Sequence, residues 1–277
     1  MKQRGLLLVG HGSRDPEGNA QFLRVVERAA RLPRVQESGW RVQPSFIELA
    51  NPEVPEGIDA LVAAGCQEVV TVPLTLFAAG HAKEEIPGHL EAARERHPGV
   101  VFRYGRPIGV EPAVIPILLD HLAAARPVAG AGDAGRPAEP IADPPAVLVL
   151  VGRGSSDPEA NSDFYKVGRL LWEALRAGGG PLAVDWVELC FIGVTVPDLD
   201  TALRRTVALG ARQVVVLPYF LFTGVLVKRI ARITADWARR SPGVAFWLAG
   251  LEGVGEHPRF LPILGERIEE AAAARPL

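Results

Sequence analysis

The chain has 277 residues, 48% of them hydrophobic and 22% charged, with 30 Lys and Arg against 32 Asp and Glu for a net charge of -2. That composition supplies packed cores for about two domains and excludes a disordered tail or a disulfide-stapled mini-protein. It carries no overall basic field, so neither nucleic acid nor an anionic membrane surface is an expected partner.

In chain order, Leu6–Val9 reads as the first strand. Only Lys2 and Arg4 bring charge before it and Gly10 follows, so the apolar run is too short for a signal peptide. Helical spacing over Pro16–Leu32, Pro52–Ala64, His81–His97 and Glu111–Ala125 alternates with β-rich runs at Arg41–Glu48, Glu68–Pro73 and Val100–Tyr104. Arg126–Pro145, rich in Ala, Pro and Gly, has too few large apolar residues for a core and reads as a semi-extended linker. Further strands follow near Val147–Val151, Val184–Glu188, Gln213–Leu217 and Val244–Leu248. The longest apolar run, Val214–Val227, is broken by Pro218 and Gly224 and falls short of the roughly 20 residues that span a bilayer. A cytoplasmic protein is expected, with Cys66 and Cys190 as two buried free thiols and no CxxC.

The chain is a duplication. Val9-Gly-His-Gly-Ser-Arg-Asp-Pro-Glu-Gly-Asn19 matches Val151-Gly-Arg-Gly-Ser-Ser-Asp-Pro-Glu-Ala-Asn161 at 8 of 11 positions. Phe46-Ile-Glu-Leu49 answers to Trp186-Val-Glu-Leu189, which sets Glu188 opposite Glu48, and Gly65–Leu74 answers to Gly210–Tyr219. The expected organisation is one repeat at 1–125, a linker at 126–146 and a second repeat at 147–277. Each repeat should be a flavodoxin-like α/β domain, with a mostly parallel four-stranded sheet flanked by helices joined through right-handed crossovers.

In such sheets, ligands bind beyond the carboxyl ends of the strands. His11 follows the first strand, Glu48 ends the second, and His81 follows the third, trailed by Lys83, Glu84 and Glu85. Two imidazoles and a carboxylate on one edge suit Co²⁺, Fe²⁺, Ni²⁺ or Zn²⁺ and leave coordination positions open, as a metal-handling enzyme needs. The glycines flanking His11 allow a sharp turn and room for a bulky ligand. Packed or solvated histidines, or a phosphate cradle at Gly10–Asp15, are the competing readings. A serine hydrolase is disfavoured, because no GxSxG elbow occurs. His89, His97, His121 and His257 read as surface residues.

Leu6-Leu-Leu-Val-Gly-His-Gly-Ser-Arg14 together with Val72-Pro-Leu-Thr-Leu-Phe-Ala-Ala-Gly-His-Ala-Lys-Glu-Glu-Ile-Pro87 resembles the sirohydrochlorin chelatase family. Both copies share the resemblance, and the second half looks like that of the long cobalamin-pathway members. It implies a lyase that inserts a divalent ion, Co²⁺ first, into sirohydrochlorin without ATP or an organic cofactor. His11 and His81 would be the metal ligands, and Glu48 would join them in catalysis. Ser13, Arg14, Leu76, Phe77, Ala78, Ala79, Gly80 and Arg153 would contact the substrate. Iron insertion for siroheme, or a metal- or tetrapyrrole-binding protein without turnover, are the alternatives. Arg153 and Leu226 stand where the first repeat has His11 and His81, so the second repeat should bind no metal and instead help hold the polycarboxylate ring.

Overall fold

The structure is a computed structural model and describes residues 3–128 and 146–277. The chain forms two compact units, Met1–Gly109 with Gly255–Leu277, and Val110–Val254.

In the first unit, β1 (Arg4–Gly10), α1 (Pro16–Ala30), α2 (Pro33–Glu37), β2 (Arg41–Phe46), α3 (Val54–Ala63), β3 (Glu68–Pro73), α4 (Ile86–Arg96) and β4 (Val101–Tyr104) build a parallel sheet of order β2-β1-β3-β4. Leu6 to Val9 are fully buried and every residue of β3 is buried, as a parallel sheet covered on both faces requires. Pro44 opposes Leu8 inside β2, which is tolerated because β2 is an edge strand and needs no donor on its outer side. The chain leaves β1 toward β2 and returns past it to β3, so the switch point lies between β1 and β3.

The second unit repeats this plan. It comprises α5 (Ile115–Ala123), β5 (Arg126–Pro127), β6 (Ala146–Gly152), α6 (Pro158–Ala174), β7 (Val184–Phe191), α7 (Leu199–Ala208), β8 (Gln213–Pro218), α8 (Val225–Arg240) and β9 (Ala245–Leu248). Among the described residues its sheet has five strands rather than four, in the order β5-β9-β8-β6-β7. The extra strand comes from the segment expected to be linker. Arg126 and Pro127 pair antiparallel with Leu248 and Trp247, and the Val128 amide donates to the Phe246 carbonyl at 2.8 Å. Ala146, the last residue of the expected linker, opens β6, and 129–145 lie outside the described residues.

The compact units also depart from the sequence repeats. Helix α5 ends the first repeat but belongs to the second unit, whereas the final helix, α9 (Phe260–Ala273), belongs to the first unit and packs on α1 and β3. The boundaries 1–125 and 147–277 therefore describe the duplicated sequence, and the packed bodies exchange their last helices. Both helices carry an apolar face, and both have Pro-Ile-Leu in their first turns (from Pro116 and Pro262), so their local patterns are alike.

That alignment makes His121 the counterpart of Arg267. His121 is not on the surface as expected: it is 3% exposed, facing Gly250, with Nε2 3.5 Å from Glu252 Oε1. It falls on the buried stripe of α5 with Leu118 and Leu122. Arg267 is equally buried and donates to the Ile108 carbonyl through Nε and Nη2. Cys66 and Cys190 are both buried free thiols, and burial pushes both upward in pKa. Among the described residues, no helix is long and apolar enough to cross a membrane.

Candidate metal centre

Everything that forms the cluster lies in the first unit, at the carboxyl ends of β1, β2 and β3. The chain leaves β1 through Gly10-His11-Gly12 and enters α1 at Asp15, whose carboxylate caps the Glu17 amide while Pro16 takes the first helical position. Gly12 sits at φ 89°, and a Cβ there would fall 1.8 Å from the Glu48 carbonyl oxygen. A Cβ at Gly10 would lie 2.8 Å from the Phe22 ring. The glycines thus make room for the protein's own backbone and core rather than for a ligand.

Glu48 lies two residues past the regular end of β2, yet the pairing with the first strand continues: Ile47 N donates to Gly10 O at 2.9 Å and Glu48 N to His11 O at 3.1 Å. The next residue, Leu49, is the one non-glycine at positive φ (64°) among the described residues, an uncommon conformation that turns the chain away. His81 opens a single π-turn, His81–Glu85, with Ile86 N bonded to His81 O, before α4 begins. Tyr104 at the end of β4 donates its hydroxyl to the Ala82 carbonyl at 2.7 Å and so holds that turn.

Three loops thereby deliver one ligand atom each from His11, Glu48 and His81, all within 4.8 Å of one another. His11 Nε2 lies 3.6 Å from Glu48 Oε1, and the two imidazoles stand edge to face with centroids 4.8 Å apart. His11 Nδ1 is 3.3 Å from the Gly12 carbonyl, which can only accept, a contact that favours a proton on Nδ1. His81 Nδ1 is 2.5 Å from Glu85 Oε2. Sequence reasoning noted Glu85 without giving it a task, although its i,i+4 spacing from His81 was visible.

The residues expected to contact substrate are placed unevenly. Arg14 is exposed, and Leu76 to Ala79 are partly buried beside His81, with Gly80 exposed. Ser13 is occupied locally: its hydroxyl accepts from Asp15 N at 3.0 Å and its carbonyl from Asn19 Nδ2 at 2.9 Å. Ser155 makes the same two bonds with Asp157 and Asn161. The motif shared by the two repeats is therefore a helix entry, and the histidine is what the first repeat adds to it.

The second unit is emptied more thoroughly than the sequence indicated. Ile192 N bonds to Gly152 O and Gly193 N to Arg153 O, the bonds made by Ile47 and Glu48 in the first unit. The counterpart of Phe46-Ile-Glu-Leu49 is Phe191-Ile-Gly-Val194, so Gly193, not Glu188, replaces Glu48. Glu188 instead faces Val149 within β7, as Gln43 faces Leu7 within β2. Burial raises its pKa, only partly offset by Arg205 at 3.9 Å. Arg153 is exposed, and Leu226 packs against the core of its unit.

A doubly wound sheet with two histidines and one carboxylate clustered at its switch point defines an α/β protein with a candidate metal site, here duplicated with the cluster in the first copy among the described residues. Comparison with known proteins narrows the class. The CbiX family profile matches residues 5–125 and again 147–271, and the chain belongs to that family. It is 42% identical over 267 residues to a sirohydrochlorin cobaltochelatase of Priestia megaterium, covering 96% of this chain and 79% of that one. It is 32% identical to a sirohydrochlorin ferrochelatase of Bacillus subtilis (strain 168), covering 99% and 93%. Among solved structures, SirB from Bacillus subtilis with Fe3+ superposes with a TM-score of 0.74 at 29% identity, over 98% of this chain and 96% of that one.

Proposed function

We propose that this chain is a sirohydrochlorin chelatase that inserts Co²⁺ into the tetrapyrrole for cobalamin biosynthesis, in the cytoplasm and without ATP or an organic cofactor. The observation that carries the reading is the convergence of His11, Glu48 and His81 within 4.8 Å in an open edge of the first unit. Imidazole nitrogen with one carboxylate is a donor set for Co²⁺, Fe²⁺ and Ni²⁺, and three protein ligands leave positions for pyrrole nitrogens.

Insertion exchanges one M²⁺ for the two protons of the ring's pyrrole N–H groups. Each imidazole that releases the ion frees the lone pair on which it held it. A histidine so freed can take a pyrrole proton on that lone pair and pass it to solvent. Glu48, half exposed at its side chain, is a second acceptor on the same rim. Leu76, Phe77, Ala78 and Ala79 offer the apolar ring a partly buried wall next to His81, and Arg14 offers a cation to its carboxylates. Arg153 keeps a guanidinium for the same carboxylate chemistry in the unit that has lost its ligands.

The test follows the absorbance of sirohydrochlorin with limiting Co²⁺, Fe²⁺ or Ni²⁺ at catalytic protein concentrations. Fastest conversion with Co²⁺ supports the proposal. Fastest conversion with Fe²⁺ makes the chain a ferrochelatase for siroheme, the activity named for the Bacillus subtilis relative. Binding without conversion makes it a carrier.

A further inference from the structure

We infer that Glu85 is a positioning residue for the metal site: its carboxylate fixes the proton of His81 on Nδ1 and so presents Nε2 to the incoming ion. The inference rests on the metal-site part of the reading above. Glu85 Oε2 lies 2.5 Å from His81 Nδ1. An ionised carboxylate can only accept, so it selects the Nδ1–H tautomer and leaves Nε2 as the nitrogen able to ligate. Glu85 itself lies outside the ligand cluster of His11, Glu48 and His81.

Two features show that the pair is built as a unit. The π-turn His81–Glu85 begins on one partner and ends on the other, and Tyr104 pins the turn between them. In the second unit the corresponding helix, α8, is α-helical from Val225 onward, and both partners are gone together. Leu226 replaces His81 and packs on the core, while Ile230 replaces Glu85 and is fully buried. A carboxylate serving only to cap or solubilise a helix would have no reason to disappear with the histidine.

The full chain with Co²⁺ alone as probe tests this without any tetrapyrrole. In Glu85→Ala, Co²⁺ affinity should fall about ten- to a hundredfold, the usual cost of losing such a partner. Glu85→Gln, which keeps an acceptor oxygen for Nδ1–H, should recover most of that loss. The ¹⁵N spectrum of His81 in the metal-free protein should change from the Nδ1–H form in the wild type to a mixture in Glu85→Ala, with the melting temperature unchanged. Wild-type affinity and an unchanged tautomer in Glu85→Ala would overturn the inference. Loss of binding as complete as in His81→Ala would also overturn it, by making Glu85 a ligand. If His11→Ala and His81→Ala bind Co²⁺ like the wild type, the metal site itself is wrong, which is a separate failure.

Discussion

Glu48 and His11 are tied twice, by the backbone bond from the Glu48 amide to the His11 carbonyl at 3.1 Å and by the approach of Glu48 Oε1 to His11 Nε2 at 3.6 Å. The backbone bond fixes the register of two loops from adjacent strands, and the side chains inherit it. Sheet pairing thus sets the spacing of the two backbones, and under the proposed function it brings both donors to the ion's position in advance.

His11→Ala and His81→Ala should each lower the rate of Co²⁺ insertion by more than about a hundredfold, beyond the cost of losing an outer partner. Far-UV circular dichroism should stay native, because neither ring is part of the buried core. A variant with the wild-type rate at saturating Co²⁺ would remove that histidine from the site.

Gly12→Ala should damage both stability and the site. The positive φ and the 1.8 Å approach of a Cβ to the Glu48 carbonyl force the two loops apart. The backbone conformation alone costs about 1–3 kcal/mol, enough to lower the melting temperature by several degrees. Gly154→Ala carries similar backbone strain, with φ 82°, but the atoms nearest its Cβ would be those of Thr195 and Phe191 at 3.0–3.3 Å, in the second unit. Co²⁺ affinity should fall in the first variant and hold in the second.

Glu48 and Glu188 should separate cleanly. Glu48→Gln should slow metal insertion, whereas Glu188→Gln should leave the rate unchanged and raise the melting temperature at pH 7. Burial raises the folded pKa of Glu188 above its ordinary value, so the folded state holds its proton more tightly than the unfolded chain does. Stability therefore drops as pH rises through that interval, and the neutral glutamine avoids the loss. Equal melting temperatures at pH 7 for Glu188→Gln and wild type would count against this account.

Glu68 has the opposite sign. Burial pushes its carboxyl up, but the hydrogen bonds and charges of Arg103 at 2.6 Å and Arg4 at 2.7 Å outweigh burial and hold it below the ordinary 4.5. Its contribution is present above the unfolded value and is lost as pH falls through the lower folded one. Melting curves from pH 7 to pH 3 should show an acid limb that is shallower in Glu68→Gln.

Much of this was legible locally. The duplication, the alternation of strands and helices, and the placement of His11 and His81 after β1 and β3 all follow from short motifs and from hydrophobic period. The misassignment of Glu188 shows the limit: Phe-Ile-Glu-Leu and Trp-Val-Glu-Leu look alike as strings, and only the bonds of Gly193 to Arg153 and of Glu48 to His11 reveal which residues share a place. His121 was misread for a related reason, since a histidine on an apolar stripe becomes buried only when a helix finds its sheet.

The sequence alone therefore determined that 277 residues hold two copies of one module and that only the first keeps both histidines. Tertiary structure decided that α5 and α9 complete each other's sheets and that the loop after β7 carries a glycine where the first unit has a carboxylate. It also set Glu85 behind His81. The division has a physical cause. Motifs and periodicity are properties of neighbours along the chain, whereas strand register, helix exchange and the facing of side chains depend on pairings between distant segments, and similar local patterns satisfy those pairings equally well until the chain packs.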